Sequence, residues 1–359
     1  MMHLGCPRTV TRRAVVAAGL AAPALGRSAE IVRVGGPAGL CGLFRRHRKT
    51  LLPADMQDVV FDGTSDGVNV ARLQSPQSGG LTVVLMDGLT LAAAATHALL
   101  AKLGPDTAAR IQKLDPTALQ AGGFWVTCAR PWLGTAWNPR TFPDLRLPNG
   151  NMAPDLDDLV SAPWRSDRRV GNVPRLLLPD FTATTSSFLL WQAYRALPGR
   201  GQAAPSEALQ DPSGAFEVIG ALPRSLTTFR VPERDALQRV LRGEACVAAG
   251  LISAAVLPLI EAGESLAYWP GQAGTPRLEA PIGVALTANG PARAAGEQFI
   301  QGLVQPSTRQ RLQYALHMNG RRYSIPDDVS TAEPTFAPVW ETIVSTFSQW
   351  KTEWDAASK

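Results

Sequence analysis

Residues 81–87, Leu-Thr-Val-Val-Leu-Met-Asp, form a nearly continuous apolar run that ends on Asp87-Gly88. A strand with one wet face alternates apolar and polar residues. A run without that alternation must be covered on both faces, which is the condition of a parallel strand between two helical layers. The flanking segments fit this demand. Ile31-Val32-Arg33-Val34 reads as a strand that ends on Gly35-Gly36 and leads into a helical stretch through Leu43 to Arg48. Asp58 to Asp62 is strand-like and precedes a short helical pattern near Val68 to Leu73. The alanine-rich segment Leu91 to Leu100 follows the third strand as a helix. This β-α-β-α order predicts a doubly wound α/β lobe.

The alternation repeats further along. Arg175 to Pro179 is a strand candidate that leads into a helix from Thr184 to Ala196. Thr227 to Phe229 precedes a helical pattern over Glu233 to Arg242, and Ala245 to Gly250 precedes another through Ile260. Strands over Ser265 to Trp269 and Ile282 to Leu286 are followed by helices over Ala292 to Val304 and Thr308 to Leu316. Leu145 to Asp155 and Gly199 to Pro212 are rich in Pro, Gly and polar residues and read as surface loops. Val339, Trp340, Ile343, Phe347, Trp350 and Trp354 recur at helical spacing, so an amphipathic helix closes the chain. A chain of 359 residues is too long for one core and suits two lobes.

The amino terminus has the character of an export signal. Met1 to Arg13 hold Arg8, Arg12 and Arg13 and no acid, and an apolar run over Ala14 to Leu25 follows. At about a dozen residues that run is too short to cross a hydrocarbon core, which takes about 20. Small residues through Ala29 precede Glu30, so residues 1–29 are expected to be removed. Thr11 to Val16 resembles a twin-arginine signal, with an ordinary secretion signal as the alternative. Removing residues 1–29 takes away four arginines and brings the formal net charge from +5 to near +1. The basic excess therefore gives no argument for nucleic acid. Arg45-Arg46-His47-Arg48-Lys49 reads as a solvated helix face. Cys41, Cys128 and Cys246 remain, with no Cys-x-x-Cys spacing. One disulfide could form in an oxidising compartment, although buried reduced cysteines fit as well.

No phosphate loop, Gly-x-Ser-x-Gly elbow or His-Glu-x-x-His is present, and His47, His97 and His317 are isolated in sequence. Neither a cofactor nor a metal is expected, and the reading is of a protein that binds rather than transforms. An exported α/β enzyme and a ligand-sensing receptor are the alternatives.

Several segments resemble, in order, the extracellular solute-binding proteins of ABC importers, in particular the spermidine/putrescine-type branch. They are Val34-Gly35-Gly36, Gly134 to Pro139, Leu156 to Leu159 with Trp164 and Arg169-Val170, Thr308 to Leu316, Tyr323 and the tryptophan-rich tail. The resemblance implies an α/β fold of two doubly wound lobes joined by crossover strands, of the type II periplasmic-binding-protein kind. Lobe one would hold residues 30–135 and 284–322, and lobe two residues 136–283 and 323–359. A monomer in the periplasm would capture a small polar solute (of the amine, carboxylate or phosphonate class) by hinge closure. It would then deliver that solute to an ABC permease in the inner membrane.

The binding cleft would lie at the carboxyl ends of the strands. Gly35 and Gly36 would allow close approach of a backbone, and Asp87 would point to the rim. Trp137 and Asn138 would stand at the crossover. Asp180, Thr182 and Thr184 would bind an anionic group or simply cap a helix. Tyr268 would stack on the ligand or pack in the core, and Glu279 would supply a carboxylate. The acidic pair of polyamine receptors is reduced here to Asp180 followed by hydroxyls, which leans toward a carboxylate or phosphonate ligand.

Overall fold

In the computed structural model the described residues are 31–53, 56, 58–140, 176–201, 203–225, 227–270, 277–316 and 335–359. The expected signal peptide, the segment from Leu156 to Val170, His317 and Tyr323 lie outside them.

The strands are β1 (Arg33–Pro37), β2 (Val60–Thr64), β3 (Val83–Asp87), β4 (Leu100–Ala101), β5 (Leu119–Gln120), β6 (Trp125–Ala129) and β7 (Leu133–Trp137). They continue with β8 (Leu176–Pro179), β9 (Thr227–Val231), β10 (Val247–Ile252), β11 (Ala267–Trp269), β12 (Arg277–Leu278), β13 (Ile282–Thr287) and β14 (Thr335–Phe336). The helices are α1 (Ala38–Arg46), α2 (Arg48–Leu51), α3 (Asp66–Gln74), α4 (Gly88–Thr96), α5 (Pro105–Leu114), α6 (Ala183–Arg195) and α7 (Pro205–Gln210). After them come α8 (Ser213–Ala221), α9 (Glu233–Leu241), α10 (Ser253–Glu261), α11 (Arg293–Leu303), α12 (Pro306–Ala315) and α13 (Trp340–Ala357).

Two sheets organise the chain. The first runs β2-β1-β3-β13-β6-β5, with β4 also on β13. Its β2, β1 and β3 are parallel, whereas β13 is antiparallel to its neighbours. The second runs β11-β7-β10-β8-β9, with β10, β8 and β9 parallel and β7 antiparallel to both β10 and β11. Each sheet thus contains a run of three parallel strands flanked by an antiparallel strand delivered from elsewhere in the chain, β13 in the first and β7 in the second. This is the α/β architecture of two doubly wound lobes joined by crossover strands.

Local chemistry explains the element order. Val83 to Met86 are all fully buried, as the unbroken apolar run demands. Asp87 stops the strand and caps α4, accepting from the Thr90 backbone N–H at 2.9 Å. In the second lobe Thr182 and Thr185 form a reciprocal capping box at the start of α6.

Packing divides into a core for the first lobe, a smaller one for the second, and a larger cluster that runs between the lobes. In the first, Phe44 stacks on Phe61 with ring centroids 5.1 Å apart, and Phe299 meets Phe61 edge-on. The shared cluster joins Leu91 and Trp125 of the first lobe to Phe188 and Trp191 of the second, and includes Trp340 and Trp354 of α13. Burying an aromatic side chain of this size stabilises by about 3 kcal/mol, so the shared cluster is a large part of what holds the lobes together. Helix α13 was expected on the second lobe. It packs on α8 of that lobe and also on α4 of the first. Gly88 is the reason: with no side chain there, the Trp340 indole lies against the backbone. Among the described residues no helix is long and apolar enough to cross a membrane.

Candidate ligand-binding cleft

Among the described residues the chain passes between the lobes over residues 130–132, between β6 and β7, and over residues 279–281, between β12 (paired with β14 in a small two-stranded sheet) and β13. These two segments lie side by side. Trp132 bridges to Glu279, and the Ala280 N–H donates to the Pro131 carbonyl at 2.7 Å. Arg130 Nη1 lies 3.2 Å from Glu279 Oε2. Arg277 places its guanidinium over the Trp132 ring, 4.6 Å from its centroid. Ser253, at the start of α10, holds the first segment by accepting from the Trp132 N–H at 3.0 Å and donating its own N–H to the Trp132 carbonyl at 2.7 Å.

Beside this double crossing opens a cleft of about 640 Å³. The first lobe contributes α1, from Pro37 to His47, and the end of β3. The second contributes Thr184, Glu233 and the start of α10, and Pro281 and Ile282 form part of the wall from the crossing itself. The walls are mainly aliphatic, built by Leu40, Met86, Ile252, Pro258 and Leu259. Charge enters through Asp87 and Glu233, with Arg46 and His47 exposed at the end of α1.

The two carboxylates have similar surroundings on opposite lobes. Asp87 accepts from the Thr90 N–H at 2.9 Å and from the Thr90 hydroxyl at 2.6 Å. Burial pushes its carboxyl above the usual range, and the Thr90 hydrogen bonds offset only part of that. Glu233 Oε1 accepts from the Ile252 N–H at 2.9 Å, and burial raises this carboxyl too. Neither forms an ion pair among the described residues. A ligand cation would therefore relieve a desolvation cost that these hydrogen bonds only partly offset.

The residues expected to bind are scattered over several parts of the fold. Asp87 and Thr184 line the cleft. Gly35 and Gly36 face inward, Gly35 against Leu81 and Asn69, and Gly36 against Leu85 and Cys41. Trp137 and Asn138 stand at the far end of β7 from the crossing, which occurs at residues 130–132. There Asn138 donates to the Leu241 carbonyl at 2.9 Å and accepts from the Arg140 N–H and the Ser265 hydroxyl, each at 3.0 Å. Asp180 and Thr182 are exposed, and Thr182 caps α6 while the Asp180 carbonyl accepts from the Thr185 hydroxyl at 2.6 Å.

Tyr268 is buried beneath the crossing, its hydroxyl 3.0 Å from the Trp132 carbonyl and 3.1 Å from that of Leu251. Burial, and then the charge of Glu233, hold this phenol well above its ordinary range. Glu279 is buried in the crossing as the partner of Arg130. Sequence reasoning did not single out Glu233, although Val231-Pro232-Glu233 carries the same strand-end and helix-start signal as Met86-Asp87-Gly88. Among the described residues no three His, Cys, Asp or Glu side chains converge to hold a metal.

No family model and no curated protein matches the sequence. Solved structures do match in fold. An ABC transporter substrate-binding protein from Bradyrhizobium japonicum superposes with a TM-score of 0.66 at 14% identity, over 92% of this chain and 100% of that one. MotA of A. tumefaciens, in complex with glucopine, gives 0.65 at 14% identity, again over 92% and 100%. Iron-bound HitA from Pseudomonas aeruginosa gives 0.60 at 16%, over 90% of this chain and 99% of that one. The chain has the two-lobed α/β fold of periplasmic binding proteins.

Proposed function

We propose that the protein is the solute-binding component of an ABC importer. It captures a small polar solute between its lobes and passes it to a permease in the inner membrane. The observation that carries this reading is the cleft of about 640 Å³ walled by both lobes and by the segments that join them. A ligand held there touches both lobes, so its binding free energy favours the closed arrangement over the open one. Residues 1–29, with Arg12-Arg13, supply the route to the periplasm.

Within that role we propose an amine-bearing solute with an aliphatic body. Asp87 and Glu233 support the amine, one from each lobe, and the aliphatic walls support the body. A carboxylate or phosphonate solute, to which the hydroxyls after Asp180 lean, would meet two half-buried carboxylates at a cost in repulsion.

Native mass spectrometry of mature protein purified from its host tests both levels. A bound small molecule carrying an amine is the expected result, together with a smaller radius of gyration when it is added back to stripped protein. A co-purified acid would overturn the amine while leaving the receptor standing. Absence of any bound molecule, joined to no thermal shift across amines, acids and sugars, would overturn the receptor itself.

A further inference from the structure

Two crossing segments alone leave a two-lobed protein free to bend about them. Here a third element joins the lobes. Helix α13 has 18 residues, about 27 Å of rigid rod. Its first residue, Trp340, is buried against Gly88, the first residue of α4 in the first lobe. Its other end is held by the second lobe. Trp354 stacks on Phe181 with centroids 5.1 Å apart and meets Phe229 edge-on at 5.8 Å. Phe347 stacks on Phe181 at 5.8 Å, Arg230 pairs with Asp355 at 2.8 Å, and Arg224 donates to the Ala357 carbonyl. Between these ends Ile343 and Trp350 are buried in the cluster that both lobes share.

The two anchors, Trp340 and Trp354, are about 20 Å apart along a helix that does not stretch. Motion of one lobe against the other must therefore break an anchor, slide the helix in the shared cluster, or pivot about the Trp340–Gly88 contact. That contact adjoins Asp87, which caps α4 and lines the cleft. We propose that α13 is a strap that fixes the angle of the cleft, with Trp340 as the positioning residue that ties the second lobe to the helix capped by Asp87. It goes beyond the transport reading, because it concerns the resting geometry of the protein without solute.

Spin labels on exposed positions in each lobe, Arg110→Cys on α5 and Gln238→Cys on α9, report the interlobe distance in solute-free protein. The three described cysteines are buried and do not compete for label, and mature protein without residues 1–29 lacks Cys6. Trp340→Ala is expected to broaden the distance distribution, and Trp340→Phe and Gly88→Ala to broaden it by smaller amounts. A methyl at residue 88 would come within 2.2 Å of the indole and push it off. If Trp340→Ala does not fold, the two milder variants decide. Distributions that superimpose on the wild type, whatever happens to the melting temperature, would overturn the strap and leave α13 a contributor to stability only.

Discussion

Arg130 and Glu279 form an ion pair at 3.2 Å, and each belongs to one of the two segments that carry the chain from sheet to sheet. Arg130 also donates to the Thr117 carbonyl at 3.0 Å and the Thr117 hydroxyl at 2.9 Å, so the pair anchors the crossing to the first lobe. The Glu279 side chain is 7% exposed and that of Arg130 21%, which makes this a largely desolvated pair. Removing one partner leaves a buried charge without compensation. Arg130→Met is expected to lower stability by about 3 kcal/mol, and Arg130→Met with Glu279→Leu to recover most of it. Chemical denaturation of the two variants checks this, and an equal loss in both would refute it.

Asp87 carries two separable expectations. Asparagine keeps an oxygen for the Thr90 N–H but brings no charge, so Asp87→Asn should weaken binding of an amine solute by about tenfold to a hundredfold. Calorimetric titration reads that directly.

The same residue shapes the acid stability profile. Burial raises the Asp87 carboxyl in the folded state, so the folded protein holds that proton more tightly than the unfolded chain does. Its contribution therefore favours folding most below the unfolded pKa, and is lost as pH rises through the folded value. Glu233 acts with the same sign. Asp87→Asn should flatten the fall in stability across that window and leave the protein at least as stable at neutral pH. Melting temperatures measured from acid to neutral pH give the comparison.

The cysteines should be inert while the protein is folded. Burial pushes Cys41 up to about 11 and Cys128 up to about 12. All three described cysteines are buried and no disulfide joins them, so the one left open by their count is not formed among them. A thiol reagent at pH 8 should react slowly with native mature protein and fast in denaturant, with no effect of reductant on the melting temperature.

Gly134 is expected to tolerate no side chain. A Cβ there would sit 2.4 Å from the Trp269 carbonyl oxygen and 2.8 Å from the Tyr268 ring, where β7 and β11 pair. Backbone cannot yield as a flexible side chain can, so Gly134→Ala should cost about 3 kcal/mol. A wild-type denaturation midpoint would count against this packing.

The elements were legible where a local rule decides them. The apolar run before Asp87 had to be a covered strand, and β8, β10 and β13 overlap the segments whose composition marked them, whereas β1 (Arg33–Pro37) begins two residues later than read and runs through Gly35 and Gly36. The spacing of Trp340, Ile343, Trp350 and Trp354 fixed a helix, and all four are buried in it. Strand β6 went unread despite being buried along its whole length, because a short buried strand carries no periodicity of its own.

The covered strands, the helices between them and the α/β class could be read along the chain, since each depends on residues a few positions apart. Which residues share the cleft depends on tertiary structure. Asp87 and Glu233 both line it because β3 ends at the one and β9 just before the other, one strand in each lobe. Trp137 and Asn138 are carried away because the crossing occurs before β7 rather than after it. Arg130 with Glu279 and Trp340 with Gly88 are likewise contacts between distant stretches of chain. The order of residues along a segment sets its own shape, but long-range packing sets what that segment faces.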